Sequence, residues 1–190
     1  YCDPYAVYDT LEGFEKVLPG AFRMSLRIPG SVDDFEICVR AIVGQPISVR
    51  AACTLLKHLA DAFGQSTRSD AGLPHLFLTA EDILSIPGDI AAALGPLGIP
   101  RRKANAIQAA AALIAGEKTD FGRCNAPKEA MAKLLRIKGI GPWTARYIAM
   151  RTMGHTDAFL ETDAGIKHAL PDLSPAERAA LAEQWSPWRS

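Results

Sequence analysis

The residues best placed to do chemistry lie in one stretch, Leu134-Leu135-Arg136-Ile137-Lys138-Gly139-Ile140-Gly141-Pro142-Trp143-Thr144-Ala145. A helix is expected to end near Leu135, two glycines bracket Ile140, and a second helix is expected to open at Pro142. Glycine allows a tight hairpin and a close approach of backbone to a ligand. The helix start beyond it offers N–H groups without intrahelical partners and the positive end of a dipole, which suits a phosphate. Ile140 is placed to pin the hairpin to a core. A plain helix–helix turn would satisfy the same residues, and the turn alone does not choose between the two. Twenty residues after Trp143 stands Asp163, just ahead of a short helical segment within Phe159–Lys167. It reads as a helix N-cap or as a carboxylate offered to a site. Trp143 and Tyr147, four residues apart, share one helix face. They are core packing or a pair of flat surfaces for stacking.

The elements that position these residues read as helices throughout. Ser31 and Asp34 form a capping-box pattern that opens a helix over Asp33–Gln45, with an apolar stripe through Phe35, Val39 and Ile42. Pro46 ends it. Ile47–Phe63 follows, through Val49, Leu55, Leu56 and Leu59. Thr79 and Asp82 cap another helix ahead of Ile83-Leu84. Arg101–Ala115 is alanine-rich, with Ile107 and Leu113 on one face. Its basic start, Arg101-Arg102-Lys103, is a solvated helix end or a phosphate contact. Pro127–Leu135 and Pro142–Thr152 each begin with proline, and Ser174-Pro175-Ala176-Glu177 opens a last helix towards Trp185. Gly64–Pro74 reads as a connecting loop, and Leu76-Phe77-Leu78 is too short for a strand assignment. The fold class expected is all-α, with about ten helices of ordinary length.

Composition narrows the function classes. The chain has 190 residues, 48% hydrophobic and 22% charged, which is globular rather than disordered. Its 21 basic and 21 acidic residues leave no net charge, a weak argument against a nucleic-acid binder. Such a balance still fits a protein that grips DNA through backbone N–H groups and local basic clusters. Cys2, Cys38, Cys53 and Cys124 fit no zinc or iron–sulfur spacing and read as free thiols in a reducing cytosol. Apolar runs are short, so no transmembrane helix is expected. The start, Tyr1-Cys2-Asp3, has neither Met nor a secretory leader, and reads as a fragment or a processed product.

The pattern L-x-x-I-x-G-I-G-x-W-T-A-x-Y over Leu134–Tyr147, followed by F-L-x-x-D-x-x-I-K over Phe159–Lys167, resembles a family signature. The family is that of bacterial 3-methyladenine DNA glycosylase II (AlkA-type) enzymes, within the helix-hairpin-helix DNA glycosylases. Leu26-Arg27-Ile28-Pro29-Gly30, Ala41-Ile42-Val43-Gly44-Gln45, Leu97-Gly98-Ile99-Pro100 and Trp185-Ser186-Pro187-Trp188-Arg189-Ser190 match in the same order. The resemblance implies a two-lobed, all-α helix-hairpin-helix core that excises alkylated purines such as 3-methyladenine and 7-methylguanine in base-excision repair. By position, Asp163 matches the catalytic aspartate, and Trp143 and Tyr147 match aromatics of the base pocket. The carbonyls of Leu135, Ile137 and Ile140 match ligands of a structural Na+ or K+; no cofactor is required. Gln45 and Pro46 match the turn that fills the gap left by a flipped base. Gly139, Gly141, Trp143 and Thr144 complete the DNA contacts implied, and Arg102 and Lys103 of the basic helix start join them if that run meets phosphate and not solvent.

That chemistry makes sense of the residue types. The base must leave the stack to be reached. Ring-nitrogen alkylation leaves a purine cationic, and aromatic faces hold cations. Positive charge then develops on the sugar, where a carboxylate stabilises it. Bifunctional relatives of the endonuclease III type carry a lysine where Trp143 stands, so a monofunctional enzyme is expected, and the four-cysteine cluster of those relatives is missing. Lys138, in the hairpin, faces phosphate or solvent. Residues 1–25 are expected to be a return helix, near Tyr5–Leu18, from an N-terminal domain otherwise missing. Residues 26–190 are the core, without the helix that follows Trp-Arg-Ser in the family and carries a further pocket aromatic. The partner implied is double-stranded DNA with alkylated bases, met by a monomer in the bacterial cytoplasm, at the nucleoid and away from membranes. A non-catalytic helix-hairpin-helix DNA-binding module and a purely structural helical domain remain as other readings.

Overall fold

The computed structural model describes residues 4–20, 28–66, 75–117 and 127–190. Cys2, Cys124, Leu26-Arg27 and residues 67–74 of the expected loop lie outside the described residues. Ten α-helices follow one another among the described residues. They are α1 (Pro4–Val17), α2 (Asp34–Val43), α3 (Val49–Phe63), α4 (Ala80–Ser85), α5 (Ile90–Leu94), α6 (Arg101–Glu117), α7 (Pro127–Leu135), α8 (Pro142–Thr152), α9 (Ala164–Ala169) and α10 (Pro175–Ala182). Short 3₁₀ turns cover Gly95–Leu97 and Glu183–Trp185. Leu76-Phe77-Leu78 forms no strand; the nearest pairing is an isolated bridge between Ser66 and His75. None of the described helices is long and apolar enough to cross a membrane.

Capping chemistry sets several helix starts. The Thr79–Asp82 box is reciprocal, at 2.8 and 3.1 Å. The Ser174–Glu177 box is likewise reciprocal, at 2.7 and 3.3 Å. Helix α2 departs from expectation. Its cap is Asp33, which accepts from the Glu36 N–H at 2.6 Å, while the Ser31 hydroxyl is buried without a partner. Asp33 is extended and sits where a side-chain oxygen reaches the third helical N–H; Ser31 is two residues too early. The helix stops at Val43, short of Gln45, because the residue before a proline is pushed out of the α region. Helix α3 starts at Val49, because the Ser48 hydroxyl caps it by accepting from the Ala51 N–H at 3.2 Å. Val49 is consequently 80% exposed and is no part of the stripe that buries Leu56 and Leu59.

Two groups of helices result. In the first, α2 packs on α6 and α8, α4 and α5 pack on α6, and α7 packs on α8. Phe35, Val39, Ile42, Leu59, Ile107, Leu134, Ile140 and Ile148 lie in this core. Each such aliphatic or aromatic side chain contributes about 1.5–3 kcal/mol by leaving water. Ala104, Ala106, Ala110 and Ala111 of α6 are buried, so α6 meets its neighbours across small side chains. In the second group, α1 and α10 pack on the Glu183–Trp185 turn, with Phe14 edge-on to Trp185 at 4.8 Å between ring centroids. This is the two-lobed, all-α arrangement expected.

Candidate functional site

The hairpin is built by backbone hydrogen bonds. Past α7, the Arg136 and Ile137 N–H groups bond to the Lys133 and Leu134 carbonyls, and Ile140 N–H bonds to the Ile137 carbonyl at 3.0 Å. Gly139 makes the reversal at φ +110, and Ile140 is buried, pinning the loop to the core. Gly141 caps α8 from an extended conformation and has no side chain to satisfy the helix start. Pro142 lacks an N–H, and the first intrahelical bond runs from Ala145 to the Gly141 carbonyl. The Trp143 and Thr144 N–H groups are therefore left without intrahelical partners at the positive end of α8.

The two hairpin glycines differ. A Cβ on Gly139 would lie 3.3 Å from the Ala106 Cβ and 3.7 Å from the Arg102 carbonyl. The glycine is required by its positive φ and by the packing of the hairpin on α6. A Cβ on Gly141 would meet nothing within 4 Å. The space beside the free N–H groups is open.

The turn between α2 and α3 lies against this hairpin. Pro46 is exposed, and the Gln45 side-chain amide donates to the Thr144 hydroxyl. Thr144 is 2% exposed, so its hydroxyl serves Gln45 inside the protein and not a ligand. Lys103 Nζ donates to the Val43 carbonyl at 2.7 Å, and its half-buried setting pushes its pKa down. Lys103 thus ties the end of α2 to α6, while Arg102 beside it is exposed. Gln45, Pro46, Arg102, Lys103, Ala106 and Gly139 line a single recess of about 140 Å³. Segments far apart in the chain, each expected at a DNA contact, meet there.

Asp163 caps α9. Its Oδ1 accepts from the Gly165 N–H at 2.8 Å, and its own N–H bonds to the Leu160 carbonyl at 2.8 Å. The side chain is half-buried, and Oδ2 accepts no hydrogen bond among the described residues. One oxygen builds the helix and the other is available. On α8, the half-buried Trp143 and Tyr147 rings stack at 5.2 Å, 10° from parallel. The Arg151 guanidinium lies 5.8 Å from the Tyr147 ring centroid and donates to its hydroxyl at 3.4 Å. Tyr147 thus has Arg151 as a cation–π partner and Trp143 as a stacking partner.

Arg146 joins these two parts. It bonds the Glu161 carboxylate at 2.5 Å and the Phe159 carbonyl at 3.5 Å, tying α8 to the segment that delivers Asp163. The C-terminal residues brace the same segment from behind. Arg189 grips both oxygens of Asp157 at 2.5 and 2.6 Å, holding that carboxyl below the usual carboxylate range. Arg146, Arg151 and Arg178 escaped the sequence reading. The spacing Trp143, Tyr147, Arg151 was a usable signal, since neighbours four apart meet on a helix.

The carbonyls of Leu135 and Ile140 accept no backbone hydrogen bond among the described residues, and that of Ile137 accepts one. The Leu135 oxygen is left over at the C-terminus of α7, a setting that suits a cation. Of the cysteines, Cys38 is buried, which raises its thiol pKa, and Cys53 is exposed.

Comparison with known proteins places the chain in a family. Residues 39–186 match the model of the HhH-GPD superfamily base excision DNA repair protein. DNA-3-methyladenine glycosylase 2 of Escherichia coli strain K12 is 39% identical over 90% of this chain and 59% of its own length. A Mycobacterium tuberculosis protein named "Probable bifunctional transcriptional activator/DNA repair enzyme AlkA" is 36% identical over 86% of this chain and 33% of its own. The chain thus spans between one third and three fifths of these relatives. Among solved structures, a 3-methyladenine DNA-glycosylase from Archaeoglobus fulgidus superposes with a TM-score of 0.77 at 26% identity, over 98% of this chain and 66% of that one.

Proposed function

The chain belongs to the HhH-GPD superfamily of base excision DNA repair proteins, and from that premise we propose that it is a monofunctional DNA glycosylase. It hydrolyses the N-glycosidic bond of alkylated purines, 3-methyladenine and 7-methylguanine, in double-stranded DNA. The observation that carries the reading is the free Oδ2 of Asp163, on a segment that Arg146 ties to the helix bearing Trp143 and Tyr147. A carboxylate needed only as a cap has no reason to be linked to an aromatic platform.

The chemistry follows from that arrangement. The flipped base stacks on Trp143, where its positive charge faces the aromatic quadrupole. As the glycosidic bond lengthens, positive charge grows on the sugar, and Asp163 stabilises it and orients the attacking water. The Trp143 and Thr144 N–H groups hold a phosphate, with Arg102 close by, while Pro46 fills the vacated stack. The residue at 143 is not a lysine, so no Schiff base forms and the strand stays intact. The Leu135, Ile137 and Ile140 carbonyls would hold a structural Na+ or K+, whose charge would stiffen the hairpin, and catalysis requires no cofactor. The protein works as a monomer on nucleoid DNA in the bacterial cytoplasm; its mass by sedimentation tests the monomer.

Asp163→Asn is the decisive variant. The amide oxygen still accepts from Gly165 N–H, so melting temperature and affinity for abasic-site DNA stay near wild type. Single-turnover release of 3-methyladenine should fall by a factor of about 10² or more, the usual cost of losing a transition-state stabiliser. Near-wild-type release refutes the assignment. Trapping of a covalent DNA adduct by borohydride refutes the monofunctional reading.

A further inference from the structure

We propose that Arg178 is a positioning residue for this reaction: its buried guanidinium straps both ends of α9 and thereby places the Asp163 carboxylate. The inference rests on the catalytic role proposed for Asp163. Helix α9 spans only Ala164–Ala169, and none of its residues is buried. A helix this short does not hold itself in water, and apolar packing does not anchor this one. Arg178, on α10, is 5% exposed. Its Nε donates to the carbonyl of Leu170, the C-cap of α9, at 3.0 Å. Its Nη1 donates to the carbonyl of Glu161, two residues before Asp163, at 3.4 Å. The planar guanidinium fixes the spacing of those two carbonyls, and Asp163 lies between them.

The partners of Arg178 say what it is for. The Glu161 carboxylate is engaged by Arg146, and no carboxylate ion-pairs with Arg178 among the described residues. A buried charge bonded only to carbonyls carries a desolvation cost that no opposite charge offsets, so its burial is weak evidence of a role in stability. Its charge does complement the negative end of the α9 dipole at Leu170. What the side chain provides is two fixed points around Asp163. The sequence hid this, because an arginine one turn into a capped helix reads as solvated.

The test compares Arg178→Met, Arg178→Lys and Asp163→Asn in the full chain. The readouts are melting temperature, affinity for abasic-site DNA and the single-turnover rate of 3-methyladenine release. A displacement of a catalytic group by about 1 Å costs on the order of 10²-fold in rate. For Arg178→Met the expected result is a 10- to 100-fold slower release, with affinity within twofold of wild type and a lower melting temperature, because the Leu170 and Glu161 carbonyls lose their donor. Arg178→Lys, which keeps the charge but not the planar fork, should recover part of that rate and remain several-fold slow. A wild-type rate in a folded Met variant overturns the inference. If the Met variant does not fold, a wild-type rate in the Lys variant overturns it instead. Asp163→Asn separates the two ideas. A wild-type rate there sinks the function itself, whereas an inert Asn variant beside a fully active Met variant sinks only the role of Arg178.

Discussion

Gly139 and Gly141 flank one isoleucine, yet alanine should damage the protein in opposite ways at the two positions. At Gly139 the backbone stands at φ +110, and an added Cβ meets the Ala106 Cβ at 3.3 Å. Forcing a residue with a Cβ into such a sparsely populated region costs about 1–3 kcal/mol. For a domain of this size, each kcal/mol shifts the melting temperature by about 2–4 °C, so Gly139→Ala should melt about 2–12 °C lower. At Gly141, φ is −96 and the added Cβ meets nothing within 4 Å, so the fold should be indifferent, within about 0.5 kcal/mol. The Cβ instead enters the open space beside the unpartnered Trp143 and Thr144 N–H groups. One charge-assisted hydrogen bond to a phosphate contributes about 1.5–3 kcal/mol, so affinity for abasic-site DNA should drop roughly 10- to 150-fold, alike for all sequences. Thermal melting and fluorescence anisotropy at fixed salt read both quantities. If Gly141→Ala binds as tightly as wild type, or melts as low as Gly139→Ala, the phosphate does not sit where the free N–H groups point.

Two further predictions separate neighbours or partners of known geometry. Arg102→Ala should lower the salt dependence of binding by about one unit in the log–log slope, as loss of one phosphate contact does. Lys103→Met should leave that slope unchanged and lower stability by about 1 kcal/mol, because its Nζ is bonded to the Val43 carbonyl; a reduced slope in the Met variant would put Lys103 on DNA. The Asp157–Arg189 pair gives a pH dependence. Arg189 holds the folded carboxyl below its unfolded value of about 3.9, so its stabilisation is complete above that value and is lost as pH falls through the lower folded one. Asp157→Asn should therefore be less stable at neutral pH, with the gap closing in acid; a gap constant from pH 7 to pH 2 would show that the carboxylate charge is not what binds Arg189.

How far the sequence could be read depended on the range of each signal. Proline at the first helical position fixed both α7 and α8 to the residue, because the constraint acts within one turn. The Thr79 and Ser174 boxes were legible for the same reason. Where two polar residues competed to cap, as Ser31 and Asp33 did, pattern alone chose the wrong one. The hairpin, Asp163 and the Trp143–Tyr147 face were visible as residue types at a spacing. Their ties to one another were not. Gln45 to Thr144, Lys103 to Val43 and Arg178 to Glu161 join positions 99, 60 and 17 residues apart. Nothing local marks a long side chain as bound to a backbone rather than to water.

Net charge shows the same limit in a physical way. A chain with 21 basic and 21 acidic residues has no overall field to draw it to DNA. At physiological salt, however, a phosphate senses charges within about 8 Å, not the total. Several acidic side chains are ion-paired: Asp89 with Arg101, Asp61 with Lys57, Glu36 with Arg40, and Asp157 and Glu183 with Arg189. Arg102, Arg136 and Lys138, on and beside the hairpin, are exposed and form no ion pair among the described residues. A neutral protein can therefore present a basic, N–H-rich patch to one phosphate. On the proposed function the cost is kinetic: without long-range steering, encounter of this chain with DNA is slower than for a basic binder, and affinity must come from contacts made after arrival. In that regime the proposed contacts at the start of α8 and on the stacking face of Trp143 matter most.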